Sequence, residues 1–74
     1  MMVNVNDGIG APTVRAVFPD GSVEVMPTAA AVLKARAMGL DLILVAPTAV
    51  PPVAKAMDYG QWLQESERKR RDQD

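Results

Sequence analysis

The chain contains no cysteine and no histidine. Without cysteine, neither a disulfide framework nor a thiolate metal site can form, and a reducing cytoplasm is the natural setting. Without histidine, it lacks the side chain that titrates near neutral pH, the commonest neutral metal ligand, and the base of Ser-His and Cys-His nucleophile pairs. Carboxylates do not fill that gap. Asp7, Asp20, Asp41 and Asp58 stand one at a time, at no spacing that suits a general acid–base pair or a calcium loop. A non-catalytic protein without metal or cofactor is expected.

A long apolar run is missing too. The most apolar stretch, Leu42 to Ala46, is broken at once by Pro47, and the start, Met1 to Asp7, has no basic region ahead of an apolar one, so neither export nor membrane anchoring is expected. Charge of one sign is also lacking. Eight Lys and Arg oppose nine Asp and Glu for a net charge of −1, which supplies no general attraction to nucleic acid, so any RNA contact must use a local patch. The 74 residues hold one small domain, worth on the order of 3–5 kcal/mol without staples. No second domain is expected, and the chain is read as a monomer.

What is present reads as an α+β order. Residues 1–12 are polar, contain glycine and lack a period, and are read as a loosely ordered, flexible arm. Gly8-Ile9-Gly10 lacks the preceding strand, third glycine and following helix of a phosphate-binding turn. Val14 to Phe18 and Val23 to Met26 are short β-prone runs flanking Pro19-Asp20-Gly21-Ser22, a β-hairpin signal. Alternation places Val14, Ala16 and Phe18 on one face and Arg15 on the other, toward solvent.

Thr28 is read as the N-cap of a helix over residues 29–38 ended by Gly39. Val32, Leu33 and Met38 with several alanines give it a narrow apolar face, and Lys34 and Arg36 suit the negative end of its dipole. Asp41 to Ala46 is apolar on both alternating faces, which predicts a central strand with neighbours on each side. Pro47 to Pro52 reads as a stiff extended loop and Val53 to Met57 as a brief strand, completing β-β-α-β-β. Asp58, with Gln61 three residues on, matches a capping box for a second helix. Its apolar content stops at Leu63, so residues 64–74 are read as a charged linker helix or tail that projects into solvent, fraying beyond Leu63.

Several of these segments together resemble a known family. Gly39-Leu40-Asp41-Leu42, then Ala46-Pro47, Pro51-Pro52-Val53 and Met57-Asp58-Tyr59-Gly60 resemble the signature of the N-terminal domain of bacterial translation initiation factor three. Asn6, Ile9, Ala11, Val14 and Arg15 match that family's entry pattern, so the resemblance covers nearly the whole chain. It implies a β-grasp-like four-stranded mixed sheet packed on one helix, spanning residues 13–63 and followed by a linker helix. It further implies binding to the small ribosomal subunit, to ribosomal RNA and ribosomal proteins in the vicinity of the initiator transfer RNA. The departures fall on contact chemistry. Gly10 stands where the family often has Arg, Gln61 where it has Lys and Gln64 where it has an aromatic residue. Ala54 and Lys55 replace a Cys-Arg pair, the hairpin turn is about one residue shorter than is common, and the tail ends in Asp72 and Asp74 rather than lysines.

The candidate RNA contacts are Arg15, Lys55 and the run Arg68, Lys69, Arg70 and Arg71, because phosphate neutralisation needs cations that reach a backbone. A bland reading stands beside each. Glu65 with Lys69 and Glu67 with Arg71 form favourable i,i+4 pairs on a solvated helix, and Arg15 and Lys55 serve solubility. Tyr59 and Trp62 are spaced to stack on an unpaired base or to pin the second helix to the sheet. The alternative to a ribosome-binding domain is a divergent one-domain relative acting as a protein-interaction module with little RNA affinity.

Overall fold

The computed structural model describes residues 4–65. A single 3-10 turn, Asn6–Gly8, precedes β1 (Thr13–Val17), β2 (Val23–Pro27), helix α1 (Thr28–Ala37), β3 (Asp41–Ala46) and β4 (Val53–Met57), and a second helix, α2, runs over residues 59–65. The four strands form one sheet in the order β2-β1-β4-β3. β1 pairs antiparallel with β2 and parallel with β4, while β3 pairs antiparallel with β4. The fold is therefore α+β, in the β-β-α-β-β order that the residue pattern implies, with the mixed, β-grasp-like sheet that the resemblance implies.

The hairpin forms where turn chemistry places it. Phe18 N–H donates to the Ser22 carbonyl at 3.0 Å, Gly21 N–H donates to the Phe18 carbonyl at 2.9 Å, and Gly21 takes φ +88°, a conformation open to glycine without a Cβ penalty. Asp20 accepts the Ser22 N–H at 2.9 Å. Hydrogen bonding from Ser22, its hydroxyl first and its backbone N–H second, holds the Asp20 carboxyl below its ordinary value of 3.8.

Strand alternation divides the sheet into two faces. Val14, Ala16 and Phe18 from β1 and its end, Leu42 from β3, and Ala54 and Ala56 from β4 meet Ala31, Val32 and Ala35 of α1 in one core. The alanines let the helix lie close on the sheet, and Phe18, at 2% exposure, supplies the largest buried side chain. Lys34 lies with its Nζ 4.4 Å from the centre of the Phe18 ring and 3.9 Å from Glu24, closing the rim of this core without any ligand.

The face that α1 buries is Ala31, Val32 and Ala35. Leu33 and Met38, expected to join it, are 67% and 43% exposed, because Val32 and Ala35 at helical spacing already span the narrow contact stripe. Thr28 is the first helical residue rather than the N-cap, which is Pro27. Its buried hydroxyl instead donates to the Ala11 carbonyl at 2.6 Å. At the other end Gly39 takes φ +73°, with Gly39 N–H on the Arg36 carbonyl and Leu40 N–H on the Ala35 carbonyl, both at 2.9 Å. These two bonds are the Schellman pattern expected of a glycine C′ residue.

β3 is an edge strand, not the central one its apolar faces suggested. Its outer edge is covered instead by the N-terminal segment, which the sequence presented as a loose arm and which is docked over residues 4–12. Val5 bridges antiparallel to Ile43, Leu44 N–H donates to the Asn4 carbonyl at 2.9 Å and Leu42 N–H to the Asn6 side chain at 2.9 Å. Val5, Ile9 and Ile43 are all under 8% exposed. The second apolar face of β3 is thus explained by the arm and not by another strand. The Pro47 to Pro52 loop, expected to be extended, turns at residues 47–51, with an Ala49 N–H to Ala46 carbonyl bond of 3.4 Å, and leaves Val50 96% exposed.

Two outcomes test this architecture. Phe18→Ala removes about 3–5 kcal/mol, which matches the whole stability of so small a domain, so the variant is mostly unfolded at 25 °C by far-UV circular dichroism. Leu33→Ala changes the unfolding free energy read from urea denaturation by no more than about 0.5 kcal/mol, and a loss equal to that of Phe18→Ala would contradict the orientation of α1. Because the folded-state pKa of Asp20 is depressed, its contribution is present above the ordinary value of 3.8 and fades as pH falls through the lower folded value. Protection of the Ser22 amide should decline in that acid window and lose this dependence in Asp20→Asn.

Candidate functional site

One face of the sheet is covered by α1, and the opposite face carries two of the candidate cations, Arg15 and Lys55. Arg15 pairs with Val53, and Val17 with Lys55, across the parallel β1 and β4. Paired residues in adjacent strands share a face, so Arg15 and Lys55 are diagonal neighbours on the face away from α1. Both are exposed, as alternation predicts for Arg15. Around them stand Val17, Val53 and Met57, half-buried, and Val23 and Val25 of β2, 56% and 54% exposed. The register that sets Arg15 beside Val25 and Val17 beside Val23 extends this aliphatic surface to the sheet edge.

No carboxylate among the described residues forms an ion pair with Arg15 or Lys55. Glu24 lies on the helix side, beside Ala16, and reaches Lys34. Asp7 holds Arg36 at 3.1 Å. Asp41, opposite Met57, does lie on the open side, but its oxygens accept from the Asn6 side-chain amide at 2.9 Å and from the Tyr59 N–H at 3.4 Å. Among the described residues neither Arg15 nor Lys55 has an ion-pair partner. Two unneutralised cations side by side are what a phosphate-bearing surface needs.

The remaining candidates divide. Tyr59 and Trp62 are brought together by α2, with ring centroids 5.8 Å apart and planes at 25°. They are half-buried and neither enters the main core, so each spends one ring face on the other instead of on the core cluster. Asp58 caps α2 as expected, accepting the Gln61 N–H at 3.0 Å. The reciprocal bond of a capping box, from the Gln61 amide back to Asp58, is absent among the described residues. A groove of about 550 Å³ opens between the hairpin turn and α2, its lining including Phe18, Leu40, Met57, Lys55, Asp58 and Glu65. Arg68, Lys69, Arg70 and Arg71, and the Glu67–Arg71 pairing, lie outside the described residues.

Sequence reasoning missed the Asn6–Asp41 contact. Its one sequence signal was an asparagine in the arm, a residue tolerant of positive φ, and Asn6 indeed sits at φ +51°. Among the described residues no group of three or more His, Cys, Asp or Glu is arranged to hold a metal ion, and no helix is long and apolar enough to cross a membrane.

A small mixed-sheet domain with one helix-covered face and one open, cation-bearing face is the class that fold and site define. Comparison with known proteins narrows that class. The family model described as "Translation initiation factor IF-3, N-terminal domain" matches residues 5–73. A translation initiation factor IF-3 from Solibacter usitatus is 62% identical over 66 residues, covering 89% of this chain and 31% of the relative. IF-3 proteins of Sulfurimonas denitrificans and Thermotoga maritima are each 47% identical, over 73 and 68 residues, covering 96% and 90% of this chain. The chain belongs to the translation initiation factor IF-3 family, matching its N-terminal domain, and spans 31% to 42% of the length of these relatives.

Proposed function

We propose that this chain is a non-catalytic initiation-factor domain that binds the small ribosomal subunit in the cytoplasm, at ribosomal RNA and ribosomal proteins near the initiator transfer RNA. Arg15 and Lys55 supply contacts on the open face, and Arg68, Lys69, Arg70 and Arg71 supply further ones. The observation that carries the reading is the placement of Arg15 and Lys55 as neighbours on the face that α1 leaves bare, within a chain whose net charge is only −1. Such a chain gains no long-range attraction from its total charge, so its affinity must come from local phosphate contacts. Tyr59 and Trp62 add a stacking surface for an unpaired base. The domain acts as a monomer.

One observation favours a second reading, a protein-interaction module of low RNA affinity. The bare face is aliphatic, with Val23 and Val25 more than half exposed, and valine offers no π-surface to a base.

Co-sedimentation with purified small ribosomal subunits across a salt series separates the two. The reading predicts binding that weakens as salt rises, with a log–log slope reduced by roughly 0.7–0.9 for each phosphate contact removed. Arg15→Ser with Lys55→Ser should lower that slope by about 1–2 on the same basis, and the Arg68, Lys69, Arg70 and Arg71 to Ser variant by more. Salt-insensitive binding lost in Val23→Ser with Val25→Ser would favour the protein-interaction reading. No binding at low salt would reject unaided attachment to the subunit.

A further inference from the structure

The N-terminal segment and α2 are far apart in sequence yet meet at one carboxylate. Asp41, the first residue of β3, accepts the Asn6 side-chain N–H on Oδ1 at 2.9 Å and the Tyr59 backbone N–H on Oδ2 at 3.4 Å. Asn6 completes the link, its Oδ1 accepting the Leu42 N–H at 2.9 Å. The Tyr59 N–H belongs to the first turn of α2, whose N–H groups have no intrahelical partner. Asp58 takes the Gln61 N–H, so each of the two aspartates accepts one donor of that turn.

From this geometry we infer that Asp41 is a positioning residue that couples docking of the N-terminal segment to the order of α2. Asn6 restrains the Asp41 carboxylate by donating to one oxygen, which leaves the other aimed at the start of α2. When the segment leaves the β3 edge, Asp41 loses its orienting partner, and the first turn of α2 loses the acceptor of the Tyr59 N–H. A binding partner that grips either end of the chain is then felt at the other through a single half-buried side chain. The Tyr59–Trp62 stack lies directly on the affected turn, and Trp62 is the only tryptophan in the chain. The coupling holds whether or not the open face binds RNA.

The test is native-state amide exchange and Trp62 emission on the full chain, comparing Asn6→Gly, Asp41→Asn, the double variant and Glu24→Gln. Glycine accepts the φ of +51° found at Asn6 and removes the side chain that bonds Asp41 and Leu42, and the Arg15 reference corrects for the added backbone freedom. The Trp62 N–H, bonded to the Asp58 carbonyl at 2.9 Å, reports on α2. The Arg15 N–H, bonded to the Pro52 carbonyl at 2.8 Å, reports on opening of the whole sheet. Asn6→Gly should speed exchange at Trp62 roughly fivefold relative to Arg15, the factor associated with one net hydrogen bond, and shift Trp62 emission. Asp41→Asn should do the same, the double variant should add little to either, and Glu24→Gln should leave Trp62 unchanged. The inference is overturned if Asn6→Gly accelerates the Leu42 amide but not Trp62, if Trp62 and Arg15 accelerate by the same factor, or if the two substitutions act additively.

Discussion

A ten-residue helix must cover a four-stranded sheet, and it can cover only one side. Everything else in the domain is arranged around that shortage of covering surface. The contact is made with Ala31, Val32 and Ala35, small side chains that bring the helix axis near enough for Phe18, Val14 and Leu42 to be wholly enclosed. Hydrophobic burial is non-directional and scales with apolar area removed from water, so these few side chains carry most of the fold's cohesion. The opposite face of the sheet is covered only in part: Ile43, paired with Lys55 and bridged to Val5, is buried, while Arg15 and Lys55 are exposed there. Among the described residues, the face that α1 does not cover is where Arg15 and Lys55 stand without ion-pair partners.

The two sheet edges are treated differently. At β3 the N-terminal segment takes the backbone donors of Leu42 and Leu44 and buries Val5 and Ile43. That satisfies polar groups which would otherwise invite pairing with another chain. At β2 the edge is short and ends at Pro27, which has no N–H to offer, and Glu24 adds a charge held by Lys34. Exposed ion pairs of this kind contribute little to stability. Pairing Glu24 with Lys34 on the helix side leaves that carboxylate away from Arg15 and Lys55.

Much of this was legible in the residues. The order of elements, the hairpin at Pro19 to Ser22, the outward Arg15 and the Gly39 helix stop all follow from local rules of turn chemistry and period, which act within a few residues. What failed were inferences about neighbours. An apolar strand reads the same whether its second face meets another strand or a docked arm, so β3 was placed centrally. The arm itself, with Val5 and Ile9 as isolated apolar residues among polar ones, carries no period from which docking can be read. Thr28 fits the N-cap preference, yet its hydroxyl serves the Ala11 carbonyl, a partner 17 residues away that no local rule supplies. Of the candidate site, the cations were visible as residue types. That Arg15 and Lys55 are neighbours depends on a parallel pairing between the first and last strands, which spacing alone does not reveal.

The central proposal is that the face opposite α1, and not the helix-covered side, is the one that meets the small ribosomal subunit. The chain's three lysines, Lys34, Lys55 and Lys69, make that claim directly measurable. Lys34 sits on α1 beside Phe18 and Glu24, whereas Lys55 stands on the bare face. Amine-reactive footprinting of the chain, free and bound to small subunits, should show Lys55 protected on binding and Lys34 still reactive. Protection of Lys34 with Lys55 left reactive would contradict it, and would place the contact on the helix side of the domain.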